Sequence, residues 1–207
     1  MMRRRTPRAL NPFTFKTSED FIDQGLIPAT DEDQCLFKDS DIRVLKESGL
    51  LPAGAVIRPF DPKVKADFSS ETWVCFFYYP FSIGLSYPFS PLIQEFFDVT
   101  GFSYSQVMPM VWRVLTTIDR LNGTHGLSIG VPEIAATYNL RTHGSFRYCL
   151  QSKSSRFYMV PKVSISDPDW KKHFFFVRRD SIPDGTNLPV NWVHKGRKSV
   201  GLNLFLV

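Results

Sequence analysis

The sequence predicts an α+β fold, in which a helical middle segment packs on a mostly antiparallel sheet. Helix-like patterns are grouped between residues 90 and 138, and strand-like runs stand before and after them. Such grouping argues against a parallel sheet, whose strands and helices alternate along the chain. An apolar fraction of 43%, with 19 Phe in 207 residues, is enough for a substantial core.

The first predicted elements are a short helix and two strands. The segment DSDIRVLKESGLLPAG predicts a helix that Ser40 caps and that Gly49 ends in a left-handed conformation. GAVIRPF then predicts a strand. TWVCFFYY, residues 72–79, predicts a central strand because aromatic and β-branched side chains fill buried sheet positions.

Three helices are predicted in the middle segment. In SPLIQEFFDVTG, Ser90 can cap the helix, a proline takes its first position and Gly101 stops it. In SYSQVMPMVWRVLTTIDRL, apolar residues recur at spacings of three and four. The internal proline predicts a short turn that ends near Met108 and a longer helix that begins at Pro109. A third, shorter helix is predicted over Pro132 to Tyr138.

The last third of the chain consists of short aromatic or β-branched runs between polar loops. SFRYCLQS, RFYMVPKV and HFFFVRR predict three strands that form a meander. We therefore divide the chain into a flexible, basic and then acidic segment 1–35, a single domain 36–195 and a tail 196–207.

The aromatic stretch FYYPFSIGLSYPFSPLIQEFFDVTG, residues 77–101, admits two interpretations. It could stack nucleic-acid bases, or it could form the centre of the core. No Lys or Arg stands between Lys65 and Arg113. Because binding of nucleic acid draws most of its affinity from cations on phosphates, the sequence favours the core.

Composition also narrows the class of protein. Prolines and glycines interrupt the most apolar part of the chain, so no transmembrane span is expected. MMRRRTPRAL is followed by NPFTFKTSED instead of an apolar segment, so we expect no secretion signal. Three scattered cysteines predict neither a disulfide framework nor a zinc site, and together these points predict an intracellular protein.

Motifs for catalysis are weak. Gly126-Leu-Ser-Ile-Gly130 matches the nucleophile elbow of serine hydrolases, with Ser128 as nucleophile, but the elbow needs a preceding strand and the preceding segment predicts a helix. Cys149 beside His143 could form a thiol–base pair, although a small apolar residue in a strand is the simpler interpretation. Metal-binding spacings and phosphate-binding glycine loops are missing, so we predict no catalytic residue, no metal and no cofactor.

Charge is unevenly distributed along the chain. Residues 1–8 hold four Arg, residues 18–47 hold nine acids against three bases, and residues 171–198 hold seven bases against two acids. The acidic front and the basic back could therefore meet in the fold. The candidate residues for binding RNA or DNA are basic, and sequence-independent contact with the backbone is the expected mode. They are Arg3, Arg4, Arg5, Lys171, Lys172, Arg178, Arg179, Lys195, Arg197 and Lys198.

Three segments in order resemble the plant transposon protein family, the gag-like segment of plant Ty3/gypsy-type retrotransposons. They are FYYPFSIGLSYPFSPLIQEFFDVTG, FSYSQVMPMVWRVL and WKKHFFFVRRDSIPDGTNLPVNW, within a similarity over about residues 40 to 195. The shared features are Gly84-Leu85 before Pro88, Pro109 ahead of Trp112-Arg113, and a Trp-Lys run that ends in Phe-Phe-Phe-Val. Met110 departs from the family, which often has a polar residue there.

The resemblance implies a non-catalytic piece of a mobile element and carries no functional residue with it. Zinc-knuckle, aspartic-protease, reverse-transcriptase and integrase patterns are missing from the sequence. We therefore expect a gag-like domain that binds itself or nucleic acid and has no membrane role. Two alternatives stay open at this point: a protein-interaction module with no nucleic-acid role, and a serine hydrolase that uses Ser128.

Overall fold

A computed structural model describes residues 35–58, 66, 72–143, 147–154, 159–160, 170–183, 188 and 192. Within these ranges the helices are α1 (Asp39–Glu47), α2 (Tyr79–Ser82), α3 (Pro91–Thr100), α4 (Pro109–His125) and α5 (Val131–Thr137). The strands are β1 (Ile57–Arg58), β2 (Trp73–Phe77), β3 (Tyr138–His143), β4 (Arg147–Ser152) and β5 (Phe174–Arg178). Short 3₁₀ turns cover Tyr104–Gln106, Trp170–Lys172 and Arg179–Ser181. Helices together with antiparallel strands confirm the predicted α+β class.

The larger sheet has the strand order β1-β5-β2, and both pairings are antiparallel. Among the described strands β5 is therefore central and β2 is at one edge, so the prediction of a central strand over residues 72–79 is wrong. All five residues of β2 are nevertheless buried. Alternate side chains enter two core clusters, one on each face of the sheet. A strand that is buried on both faces has a continuous apolar sequence whether it is central or at an edge. The apolar run therefore does not show how many strands β2 pairs with.

The predicted meander is also wrong. β4 pairs with β3, a strand that we did not predict, while β5 pairs with β1 and β2. β3 begins at Tyr138, directly after α5, so the chain passes from helix to strand without a loop. Of the predicted strand RFYMVPKV, Met159 and Val160 form a bend, and the other residues lie outside the described ranges.

The ends of the helices follow local signals closely. The Ser90 hydroxyl accepts the N–H of Ile93 at 3.4 Å, and Gly101 ends α3 with φ +68°. As predicted, a short turn over Tyr104–Gln106 precedes a helix that begins at Pro109. The third predicted helix is α5.

At α1 the predicted cap is wrong. The N-cap is Lys38, whose N–H donates to the Asp41 carboxylate at 2.7 Å, and Ser40 lies exposed in the first turn. Because the acidic side chain at the third helical position accepts this N–H, the N-cap lies two residues earlier than predicted. Gly49 follows the last turn with φ +67°, as expected.

The aromatic stretch of residues 77–101 contributes most of its rings to the core, as the sequence predicted. Tyr104 lies at the centre of an aromatic stack, with ring centroids 4.3 Å from Phe97, 5.1 Å from Phe76 and 6.0 Å from Trp112. The main core cluster includes side chains from Phe37 to Leu188.

The predicted terminal segments lie almost wholly outside the described ranges, and of them only Cys35 is described. Among the described helices, none has the length and apolar character that crossing a membrane requires.

Candidate nucleic-acid interface

The four described basic candidates form two pairs at opposite ends of β5. Lys171 and Lys172 lie in the 3₁₀ turn before the strand, whereas Arg178 ends the strand and Arg179 begins the turn after it. Arg178 lies six positions after Lys172, so at about 3.3 Å per position the pairs are roughly 20 Å apart. The candidates Arg3, Arg4, Arg5, Lys195, Arg197 and Lys198 lie outside the described residues.

The two pairs have different surroundings. The Arg178 guanidinium donates to the Asp180 carboxylate at 2.5 Å, and the two side chains are 42% and 70% exposed to solvent. The neighbouring carboxylate offsets part of the positive potential at that end. At the other end, Trp170 and His173, the neighbours of the lysine pair in the chain, line an open pocket. The two ends of β5 therefore differ in the groups that adjoin their basic residues.

The pocket lies where α1, the start of α2 and the 3₁₀ turn before β5 meet, and its volume is about 400 Å³. Volumes of about 300–1,000 Å³ are typical of small-ligand sites. Its lining includes Phe37, Asp41, Tyr78, Tyr79, Trp170 and His173. We call it the aromatic pocket.

Backbone hydrogen bonds fix the lysine turn against the rest of the pocket. Trp170 and His173 both line the pocket, so Lys171 and Lys172 stand between two lining residues in the chain. The Tyr78 N–H donates to the carbonyl of His173 at 2.8 Å. The Leu36 N–H donates to the carbonyl of Lys172 at 2.7 Å, and at this point the acidic front of the chain meets the basic back.

Rings and cations behind the pocket hold its walls in place. Trp170 packs edge-on against Phe77, with the ring centroids 4.8 Å apart. The buried Arg147 guanidinium lies 5.5 Å from the Trp170 ring, 5.8 Å from the Phe77 ring and 5.7 Å from the Trp192 ring. Cation–π attraction of this kind is strongest where water is excluded. Trp170 is therefore a preorganised wall.

A second arginine supports Tyr79. The Arg113 guanidinium lies 5.6 Å from the Tyr79 ring centroid, and its Nε donates to the Tyr79 hydroxyl. The sequence has no cation between Lys65 and Arg113, yet the fold brings Arg113 onto a ring of the aromatic stretch. The gap without cations in the sequence is therefore not a gap without cations in the fold around Tyr79.

The residues considered for catalysis lie elsewhere. Ser128 is exposed in the loop between α4 and α5, and Asn122 holds that loop by bonding both backbone groups of Ile129. A helix and not a strand precedes it, so the nucleophile elbow is not formed. Cys149 is half-buried in β4, and burial raises the pKa of its thiol, which disfavours the reactive thiolate. In the described part of the chain, His, Cys, Asp and Glu form no group that could hold a metal ion.

Sequence reasoning identified the two lysines but missed the pocket beside them. Trp170 stands directly before Lys171, so the aromatic–cation run WKKH was the available signal. Asp41 carries no such signal, because it joins the pocket only through the packing of α1. Comparison with protein-family models, curated proteins and solved structures finds no match to this chain.

Proposed function

We propose that this chain is a non-catalytic, gag-like domain of retrotransposon origin that binds single-stranded nucleic acid. The observation that supports the proposal is that Lys171 and Lys172 stand in the chain between Trp170 and His173, which line the aromatic pocket. Lysines neutralise phosphates in any sequence, and the half-buried ring of Tyr78 in the pocket wall can stack on an unpaired base. The proposed origin rests on the proline and aromatic spacing of residues 77–115 and 170–192.

Lysines and aromatic side chains should contribute to the affinity for nucleic acid in different ways. Each phosphate contact on a single strand adds about 0.7 to the slope of log affinity against log salt. Stacking of one base on an aromatic side chain contributes about 1–3 kcal/mol and depends little on salt. The complex should therefore combine a salt-dependent lysine contribution with a salt-resistant aromatic one.

Fluorescence anisotropy with a short labelled single-stranded RNA tests this proposal at about 50 mM and about 200 mM salt. We expect binding that weakens with salt and persists at the higher concentration. A duplex of the same sequence is the matched ligand control, and it should bind more weakly because its bases are not available for stacking. Lack of RNA binding even at the lower salt concentration would overturn the proposal in favour of a protein-interaction module.

A further inference from the structure

We infer that a second, polar pocket between the α2–α3 loop and α4 binds a small zwitterion, whose carboxylate contacts Arg120 and whose ammonium group contacts Asp119. A free amino acid is the chemical class that carries both groups at this size. The site is independent of the proposed binding of nucleic acid, because its described lining residues include none of those that line the aromatic pocket.

The polar pocket has a loop on one side and one face of a helix on the other. Ser86 and Ser90 line it from the loop, and Thr116, Asp119 and Arg120 line it from α4. Residues three and four apart on a helix share a face, so the α4 side chains are directed toward the same space. The volume is about 260 Å³. At about 30 Å³ for each water molecule of the liquid, the pocket has room for about nine heavy atoms, which is enough for a small amino acid.

The backbone at Gly84 determines where the Arg120 guanidinium lies. Gly84 has φ +102°, and a Cβ at this position would lie only 2.9 Å from Nη2 of Arg120. The guanidinium can approach the loop this closely because residue 84 has no side chain. One part of the guanidinium therefore packs against the loop, while the side chain as a whole stays exposed and its other N–H groups can reach a ligand.

The polar pocket also holds two opposite charges that do not pair. Within the part of the chain that the structure describes, Asp119 and Arg120 form no ion pair and no hydrogen bond. They are consecutive in α4, and consecutive side chains of a helix do not face each other. A guanidinium presents N–H donors in a planar fork that matches a carboxylate, whereas an ionised carboxylate only accepts. A zwitterion satisfies both groups, whereas a simple anion would bind beside the unpaired carboxylate of Asp119.

Three hydroxyl groups can complete the contacts. Ser86 forms no hydrogen bond within the described ranges, and the Ser90 hydroxyl accepts the Ile93 N–H, so both can donate their protons to a ligand carboxylate. The Thr116 hydroxyl donates to the Trp112 carbonyl at 2.8 Å, which leaves its oxygen as an acceptor for an ammonium group. The polar pocket thus offers donors and acceptors to a ligand that has both.

Nuclear magnetic resonance titration of the isotopically labelled full chain with L-alanine tests this site. Alanine carries both charged groups and only a methyl side chain, and it should cause saturable shifts at the backbone amides of Gly84, Ser86 and Arg120. Propionate lacks the ammonium group and ethylamine lacks the carboxylate, so they are the matched ligand controls. Each should bind about tenfold or more weakly than alanine, the lower limit for loss of one hydrogen bond to a charged group.

Two variants remove one charge each from the polar pocket. Arg120→Gln and Asp119→Asn should each weaken alanine binding by about tenfold or more. The controls Arg43→Gln and Asp98→Asn remove the same charges from exposed positions of α1 and α3, and they should bind alanine as the wild type does. Far-ultraviolet circular dichroism checks that all four variants fold as the wild type does.

Several results would overturn the zwitterion site. They are the lack of saturable shifts with alanine, equal affinity for alanine and propionate, and unchanged alanine binding in Arg120→Gln and Asp119→Asn. Equal weakening in the pocket variants and in their controls would also overturn it, because the effect would then come from net charge.

Discussion

The division of the basic residues into two pairs makes a quantitative prediction. In Lys171→Gln/Lys172→Gln the two ammonium groups of the 3₁₀ turn before β5 are lost, while the variant side chains stay polar and the backbone hydrogen bonds of the turn are retained. If each lysine contacts one phosphate, the slope of log affinity against log salt should flatten by about 1.4. Between about 50 and 200 mM salt, the wild type should therefore lose about sevenfold more affinity than the variant does.

Arg178→Gln/Arg179→Gln is the matched variant, because it removes the same charge at the far end of β5. There the Arg178 guanidinium already bonds to Asp180, so the slope should flatten less than in the lysine variant. Anisotropy titrations of the three proteins with one labelled RNA provide the comparison. Equal flattening in both variants would refute the placement of the interface at the lysine end, and an unchanged slope in the lysine variant would refute phosphate contact there.

Three further predictions concern stability. Arg147→Met removes a buried cation from among three aromatic rings and should lower the free energy of unfolding, measured in urea, by about 2 kcal/mol. The control Arg141→Met, at an exposed position, should change it by less than about 0.5 kcal/mol. Equal losses in the two variants would count against a cation–π contribution. Burial raises the pKa of Tyr104 above its unfolded value of about 10. The contribution of this group to the free energy of unfolding is therefore complete below pH 10 and declines above it, by up to about 1.4 kcal/mol per pH unit. Tyr104→Phe should make that decline shallower in urea titrations, and an identical pH profile would argue against it. Ser90→Ala removes the cap of α3 and should cost about 1 kcal/mol in thermal unfolding; an unchanged midpoint would mean that the cap adds nothing.

Local signals predicted α3 and α4 well, because their ends depend on residues next to them in the chain. Ser90 and Gly101 act through their own backbone neighbours, and Pro109 can only begin a helix. The same reasoning failed for α1, where Asp41 within the helix accepts the Lys38 N–H and so makes Lys38, not Ser40, the N-cap.

Strand pairing was not predictable, because it depends on partners far along the chain. β5 pairs with β1 and β2, which lie about a hundred residues earlier, and nothing within HFFFVRR specifies this. The run TWVCFFYY correctly indicated burial on both faces but not the position of the strand in the sheet.

The basic residues of the candidate interface were predictable from the sequence, whereas the pocket was not, because it too depends on partners far along the chain. The lysines were identified from composition, but the pocket combines Asp41, Tyr78 and Trp170, which only the tertiary fold brings together. The cation-free gap around the aromatic stretch was a sound argument for the core rings. The fold nevertheless brings Arg113 onto the Tyr79 ring and Arg147 onto the Phe77 ring, which no spacing in the sequence indicates.

Nuclear magnetic resonance titration of isotopically labelled protein with a short single-stranded oligonucleotide tests the central claim most directly. The account predicts that the largest shifts cluster at the Trp170 indole N–H and at the backbone amides of Tyr78, Tyr79 and His173. The amides near Asp180, at the far end of β5, should hardly move. Shifts concentrated at that far end, or scattered without a cluster at the aromatic pocket, would contradict the account.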